Sequence, residues 1–240
     1  MGEQRKYQGY VVAAIIAGVL ASCSASHSGP GSGSDSGSGS DSGSESRAGL
    51  GAASGPGSGD GSRRALSVGR IGTMAAAPGA TCPVSYDMAA AAKAAGVEKR
   101  VRAGGVTGET AGQGGPGAPL TLSQGALVSC GYRVGQEKVH LFTVGVRKGS
   151  AVGVLLPQIQ YDAGMTMQEV KTYAAEASRA SGAPLLTPSG NVASVRLPGE
   201  GKGDLALVVS LGQDRTALTK AQVSDLTRKL AAQAGVQARG

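Results

Sequence analysis

Read for its apolar and polar positions, the chain falls into three stretches. Residues 11–20 (VVAAIIAGVL) form an uncharged apolar run of ten, preceded by Arg5 and Lys6. Crossing ~30 Å of hydrocarbon takes about 20 apolar residues, so this run predicts the core of a cleaved export signal, residues 1–22, and not a membrane span. From Ser28 to Ser46 the pattern vanishes: 15 of 19 positions are Gly or Ser and none is apolar. With no apolar area to offset the entropy of ordering, this composition predicts a disordered linker. Low complexity continues more weakly to about Ala80, which sets the expected linker at residues 23–80 and its reach at roughly 40 Å.

Residues 81–240 carry periodic patterning long enough to bury one core. A helical run over 84–95 follows Pro83 and stops at Gly96. Residues 103–119 are rich in Gly and read as a long loop. Ala126, Val128, Cys130, Tyr132 and Val134 alternate onto one face of a strand; His140, Phe142, Val144 and Val146 do the same in the next. A third short strand is expected over 152–156. Thr166 and Glu169 have capping-box spacing ahead of a helix that runs toward Gly182. Strands over 193–197 and 205–211 then bracket a Gly-rich turn, and Thr219 with Gln222 opens a last helix ending at Gly235. Short turns between neighbouring strands favour antiparallel pairing. The expected fold is α+β: an antiparallel sheet of about five strands with helices packed on one face.

Composition narrows what such a domain does. The 240 residues include 41 Gly, one Phe and no Trp, and aromatics make up 3%. Base-stacking platforms need interleaved aromatics, so nucleic acid is not an expected partner. Net charge is +7, and residues 81–240 hold 17 Lys and Arg against 11 Asp and Glu. Arg147, Lys148, Arg215, Lys220, Arg228 and Lys229 recur near turns and on the last helix. Outside a membrane, an anionic cell-wall polymer, lipid headgroup or acidic protein would answer such charge; a merely soluble basic surface is the alternative.

Leu20-Ala21-Ser22-Cys23 closes the apolar run, and this order resembles the lipobox of bacterial lipoproteins. The resemblance implies cleavage before Cys23 and a diacylglyceryl thioether on its sulfur; further acylation would give a stable anchor at about 0.8 kcal/mol per buried CH₂. Localisation would be the extracytoplasmic face of the cell membrane. Cys82 and Cys130 then remain as an even pair in an exported domain, where paired cysteines read as a disulfide; two free thiols are the alternative. A metal site lacks ligands, since His27 lies in the linker and His140 is the only other histidine. A lipobox, a Ser/Gly linker, Cys82-Pro83 before a helix, and Ser129-Cys130-Gly131-Tyr132 together resemble small actinobacterial cell-surface lipoproteins of uncharacterised function. That family implies an envelope lipoprotein with a two-cysteine α+β domain and carries no catalytic residues.

Motifs with enzymatic meaning fail on context. Gly112-x-Gly114-x-x-Gly117 follows no expected strand and meets Pro119 where a helix should begin, so no helix N-terminus faces a pyrophosphate. No Gly-x-Ser-x-Gly elbow occurs, and the parity of His140 suggests a partly buried, hydrogen-bonded side chain. No cofactor and no catalytic residue is expected. The function that emerges is a membrane-anchored, non-enzymatic binding or accessory module. The alternative is a surface-anchored hydrolase of wall material, with carboxylates from Asp162, Glu169 or Asp204 held about 5–9.5 Å apart.

Overall fold

The computed structural model describes residues 65–180, 182–213 and 216–234. The export signal, Cys23, the linker as far as residue 64, Arg215 and Gly235 lie outside them.

Six strands form one sheet: β1 (Val101–Thr110), β2 (Gly125–Val134), β3 (Glu137–Val146), β4 (Leu185–Leu186), β5 (Val192–Arg196) and β6 (Asp204–Ser210), in the order β1-β2-β3-β6-β5-β4. Every neighbouring pair is antiparallel. The α+β class and the antiparallel sheet expected from alternation are therefore present. The helices are α1 (Val68–Ala76), α2 (Met88–Ala94), α3 (Pro119–Leu122), α4 (Ala151–Val154), α5 (Leu156–Ala163), α6 (Met167–Arg179) and α7 (Lys220–Ala234).

Alternation along β6 sorts the packing. Leu205, Leu207 and Val209 point to a face covered by α1, α2 and α7, while Ala206 and Val208 point to the other. The first face buries Ile71, Val84, Val128, Leu141, Leu226 and Leu230, each contributing roughly 1.5–3 kcal/mol through removal from water. Across it, the Cys82–Cys130 disulfide, with Cα atoms 5.6 Å apart, ties the segment before α2 to β2. The second face carries a smaller layer of α4, α5 and α6, with Ile159, Val170 and Tyr173 against Val144, Val192 and Val208.

A buried tyrosine hydroxyl marks each face. Tyr86 lies 2.7 Å from Thr143 Oγ1 on the first, and burial holds its pKa well above the ordinary value. On the second, Tyr173 donates to Ser194 Oγ at 2.6 Å and burial pushes its pKa up to about 12.

Four sequence expectations need correction. The linker does not extend to Ala80: Leu66 is fully buried and α1 follows, capped by Ser67 Oγ accepting from the Arg70 amide. Its stripe Val68, Ile71 and Ala75 is masked in sequence by Gly69 and Gly72. The loop expected over 103–119 contains most of β1. A Cβ at Gly108 would collide with the Ala75 backbone, so the glycine that suggests a loop is what lets α1 cross the strand. Residues 152–156 are not a strand. Ser150 caps α4 and Pro157 sits in the first turn of α5, where a fixed φ favours helix; a short apolar run does not by itself distinguish the two states. His140 is exposed and stacks on Phe142 with ring centroids 6.2 Å apart. It shares a face with Val144 and Val146, which α4 to α6 bury, while its own end of β3 is left open.

Candidate functional site

Two cavities lie at opposite ends of β6, and of the basic residues singled out in the sequence Arg147 and Lys148 line one of them. At one end, β3 and β6 pair through Val146 and Asp204. That register brings the residues after β3 beside those before β6. The result is a cavity of about 350 Å³ lined by Ser67, Val68 and Gly69 at the start of α1, Gln124 before β2, Arg147 and Lys148 after β3, and Glu200 and Lys202 in the β5–β6 turn.

The walls of this cavity are tied together through the backbone. The Arg147 and Lys148 amides both donate to the Ser123 carbonyl at 3.1 Å, and the Glu200 amide donates to Leu66 O at 2.9 Å. Gln124 holds a left-handed backbone (φ 50°), alone among the described non-glycine residues, a conformation costing of order 1 kcal/mol that its surroundings must impose. Arg147, Lys148 and Lys202 are exposed at their cavity positions. Three cations against Glu200 leave the cavity net positive, and the first turn of α1 adds partial positive charge.

Of the remaining predicted contacts, the three that are described, Lys220, Arg228 and Lys229, do not join this cluster. Lys220 donates to the Pro188 carbonyl at 2.6 Å, and Arg228 pairs with Asp225 at 2.5 Å one helical turn away. Lys229 is exposed on α7. Lys202 was not among the expected contacts; the signal available was its place in the turn leading into β6, joined to the β3 end only by a register that sequence does not state.

The three carboxylates considered for hydrolysis are scattered and each has a structural role. Asp204 bonds Arg196 at 2.7 Å and accepts from the Ala151 amide at 2.9 Å, capping α4. Glu169 closes the capping box on the Thr166 amide and hydroxyl, and those bonds hold its pKa below the ordinary value. Asp162 is buried and receives Ser210 Oγ at 2.6 Å and Gln158 Nε2 at 2.8 Å. Ser210 and Asp204 end the same strand, six residues or about 20 Å apart, so Asp162 and Asp204 do not flank one bond. Among the described residues no group of three His, Cys, Asp or Glu side chains stands close enough to hold a metal ion. No described helix is long and apolar enough to cross a membrane. No protein family, curated protein or solved structure matches this chain.

Proposed function

We propose that this protein is a membrane-anchored extracytoplasmic lipoprotein whose folded unit is a non-enzymatic binding or accessory module, meeting an anionic envelope component at the cationic cavity. The observation that carries this is the convergence of Arg147, Lys148 and Lys202 on one cavity with a single opposing carboxylate, Glu200. Arg147 offers a planar fork suited to a phosphate or carboxylate, and the two lysines add point charges. A tether from a lipidated Cys23 would enter the fold at Ala65–Ser67, and Ser67 is itself a wall of this cavity. The cavity would then sit where the tether enters the folded unit.

Mass spectrometry of the mature N-terminal peptide tests the anchor: a lipid-modified Cys23 supports it, and an unmodified Cys23 or a chain starting at Ser24 contradicts it. For the binding role, the full chain carrying Cys23→Ala is titrated with anionic phospholipid vesicles and with isolated cell-wall polymer across a salt series. Exposed charges are screened within about 8–10 Å at physiological salt, so binding to at least one anion should fall steeply as salt rises. Capture that is indifferent to salt would oppose this role.

A further inference from the structure

Strand β1 ends the sheet order, so one side of its backbone has no strand beside it. Along a paired antiparallel strand, backbone groups point alternately to the neighbour and away from it. The Arg100 carbonyl accepts from the Gly135 amide, and the Ala111 amide donates to Gly125 O, so residues 100 and 111 face β2. Counting inward from each end, with the bulge between Ala103 and Val106 absorbing the change of parity, the outward residues are Val101, Ala103, Val106, Gly108 and Thr110. Thr110 is closed by its own turn, its amide donating to Gln113 Oε1 at 2.6 Å. For Ala103, Val106 and Gly108 no outer backbone partner occurs among the described residues, and Ala103, Gly104, Gly105 and Thr107 are exposed. An open edge of this length is a template for a further strand.

The charges on β1 select which strand. Arg102 stands directly opposite Arg133 on β2, and Arg133 opposite Lys138 on β3. All three are exposed and make a row of cations across the sheet, an unfavourable juxtaposition. Glu109 stands opposite Leu127. Because Leu127 and Arg133 are an even number of residues apart on β2, Glu109 and Arg102 project from the same face. Neither has an ion-pair partner among the described residues.

We infer that two copies of this chain pair through β1, antiparallel, about a twofold axis at Val106. The register along β2 shows why the axis falls there. Val106 pairs with Cys130, Ala103 and Gly108 with Tyr132 and Val128, and Arg102 and Glu109 with Arg133 and Leu127. These partners are spaced symmetrically about Cys130, so the bulge does not spoil the match. Val106 meets Val106 of the second copy, Ala103 meets its Gly108, and Arg102 meets its Glu109. Outward residues thereby face outward residues, as an antiparallel ladder requires, with about six new backbone hydrogen bonds. At both ends of the axis a carboxylate reaches the row of cations. The contact is isologous, as closed dimers are, and one strand wide. It is smaller than a permanent interface, so the dimer should dissociate with a Kd on the order of 10–100 µM. None of these residues lines the cationic cavity, so loss of either activity leaves the other to be judged separately.

The test is sedimentation equilibrium of the full chain carrying Cys23→Ala, loaded from about 1 µM to about 500 µM. A reversible monomer–dimer equilibrium is expected. Arg102→Glu sets acid against acid at both ends of the axis, and Glu109→Arg sets arginine against arginine; each should weaken the dimer about tenfold or more. Combining Arg102→Glu with Glu109→Arg restores opposite charges in the same register and should return the Kd to within about threefold of the parent. Both positions are exposed, so unchanged melting temperatures are the expected control for folding. A chain that stays monomeric throughout overturns the inference. So does association that neither single reversal weakens, or a double variant as weak as the single ones.

Discussion

On one face of the sheet, α1, α2 and α7 make a broad apolar layer with one covalent tie; on the other, α4, α5 and α6 make a smaller layer threaded with polar contacts. The first face holds its helices through Leu226, Leu230, Ile71 and the Cys82–Cys130 bond. The second relies on Tyr173 with Ser194, Asp162 with Ser210 and Gln158, and a capping box at Thr166. Buried hydroxyls and carboxylates contribute little net stability when paired and cost much when orphaned. Reduction should therefore act on the first face alone, whereas each face carries one buried hydroxyl pair open to polar or alkaline perturbation.

The largest expected effect comes from removing the covalent tie. Cys82 and Cys130 are 48 residues apart, and on the chain-entropy account closing such a loop stabilises by about 4 kcal/mol. Cys82→Ala with Cys130→Ala, or reductant alone, should lower the urea midpoint by a corresponding amount. An unchanged midpoint would mean that the apolar layer alone holds the first face.

Next come the two tyrosines, one per face. Tyr86→Phe strands Thr143, and Tyr173→Phe strands Ser194, both buried; each should cost about 1–3 kcal/mol by chemical denaturation. Both phenols also titrate above the ordinary value near 10 because burial disfavours the phenolate, Tyr173 at about 12 and Tyr86 beyond it. The sign follows from linkage: below about pH 10 both states keep these protons, and above it the unfolded chain releases protons that the native state retains. Stability should be full below pH ~10 and decline as pH rises through the native value of Tyr173. Melting temperatures from about pH 9 to about pH 11 check this, and the decline should shrink in either Phe variant.

The smallest effect belongs to the capping box. Bonds from the Thr166 amide and hydroxyl lower the pKa of Glu169 from its usual 4.5. Its contribution is present above that value and is lost as pH falls through the lowered native one. Glu169→Gln should reduce melting temperature slightly at neutral pH and not at all in strong acid; a difference that persists in acid would assign the effect to something other than the carboxylate.

Legibility in the sequence followed side-chain periodicity and stopped where glycine or register took over. Strands β2 and β3 could be read because Val128 and Leu141 alternate with residues of different burial, whereas β5 and β6 are buried on both faces and were legible as apolar runs bounding a Gly-rich turn. The Thr166–Glu169 box announced α6 outright, and the cysteine count announced the disulfide. By contrast, β1 and α1 are written in glycine, since their crossing at Gly108 excludes a side chain, and that composition reads as loop. The two-residue β4 is too short for any period. Arg147 and Lys148 were visible as a basic pair, but their meeting with Lys202 depends on Val146 pairing with Asp204. Asp162 was visible as a carboxylate, and only the fold shows it held by Ser210 and Gln158.

The central claim is that the place of the cations, and not the net charge of the chain, decides anionic binding. Two triple variants of the Cys23→Ala full chain remove the same charge: Arg147→Gln with Lys148→Gln and Lys202→Gln in the cavity, and Lys138→Gln with Lys171→Gln and Lys229→Gln at exposed positions elsewhere. Their affinities for anionic phospholipid vesicles are compared at low salt. The account predicts about tenfold or greater loss for the cavity variant and a much smaller loss for the other. Equal losses in the two variants, or no loss in the first, would contradict it.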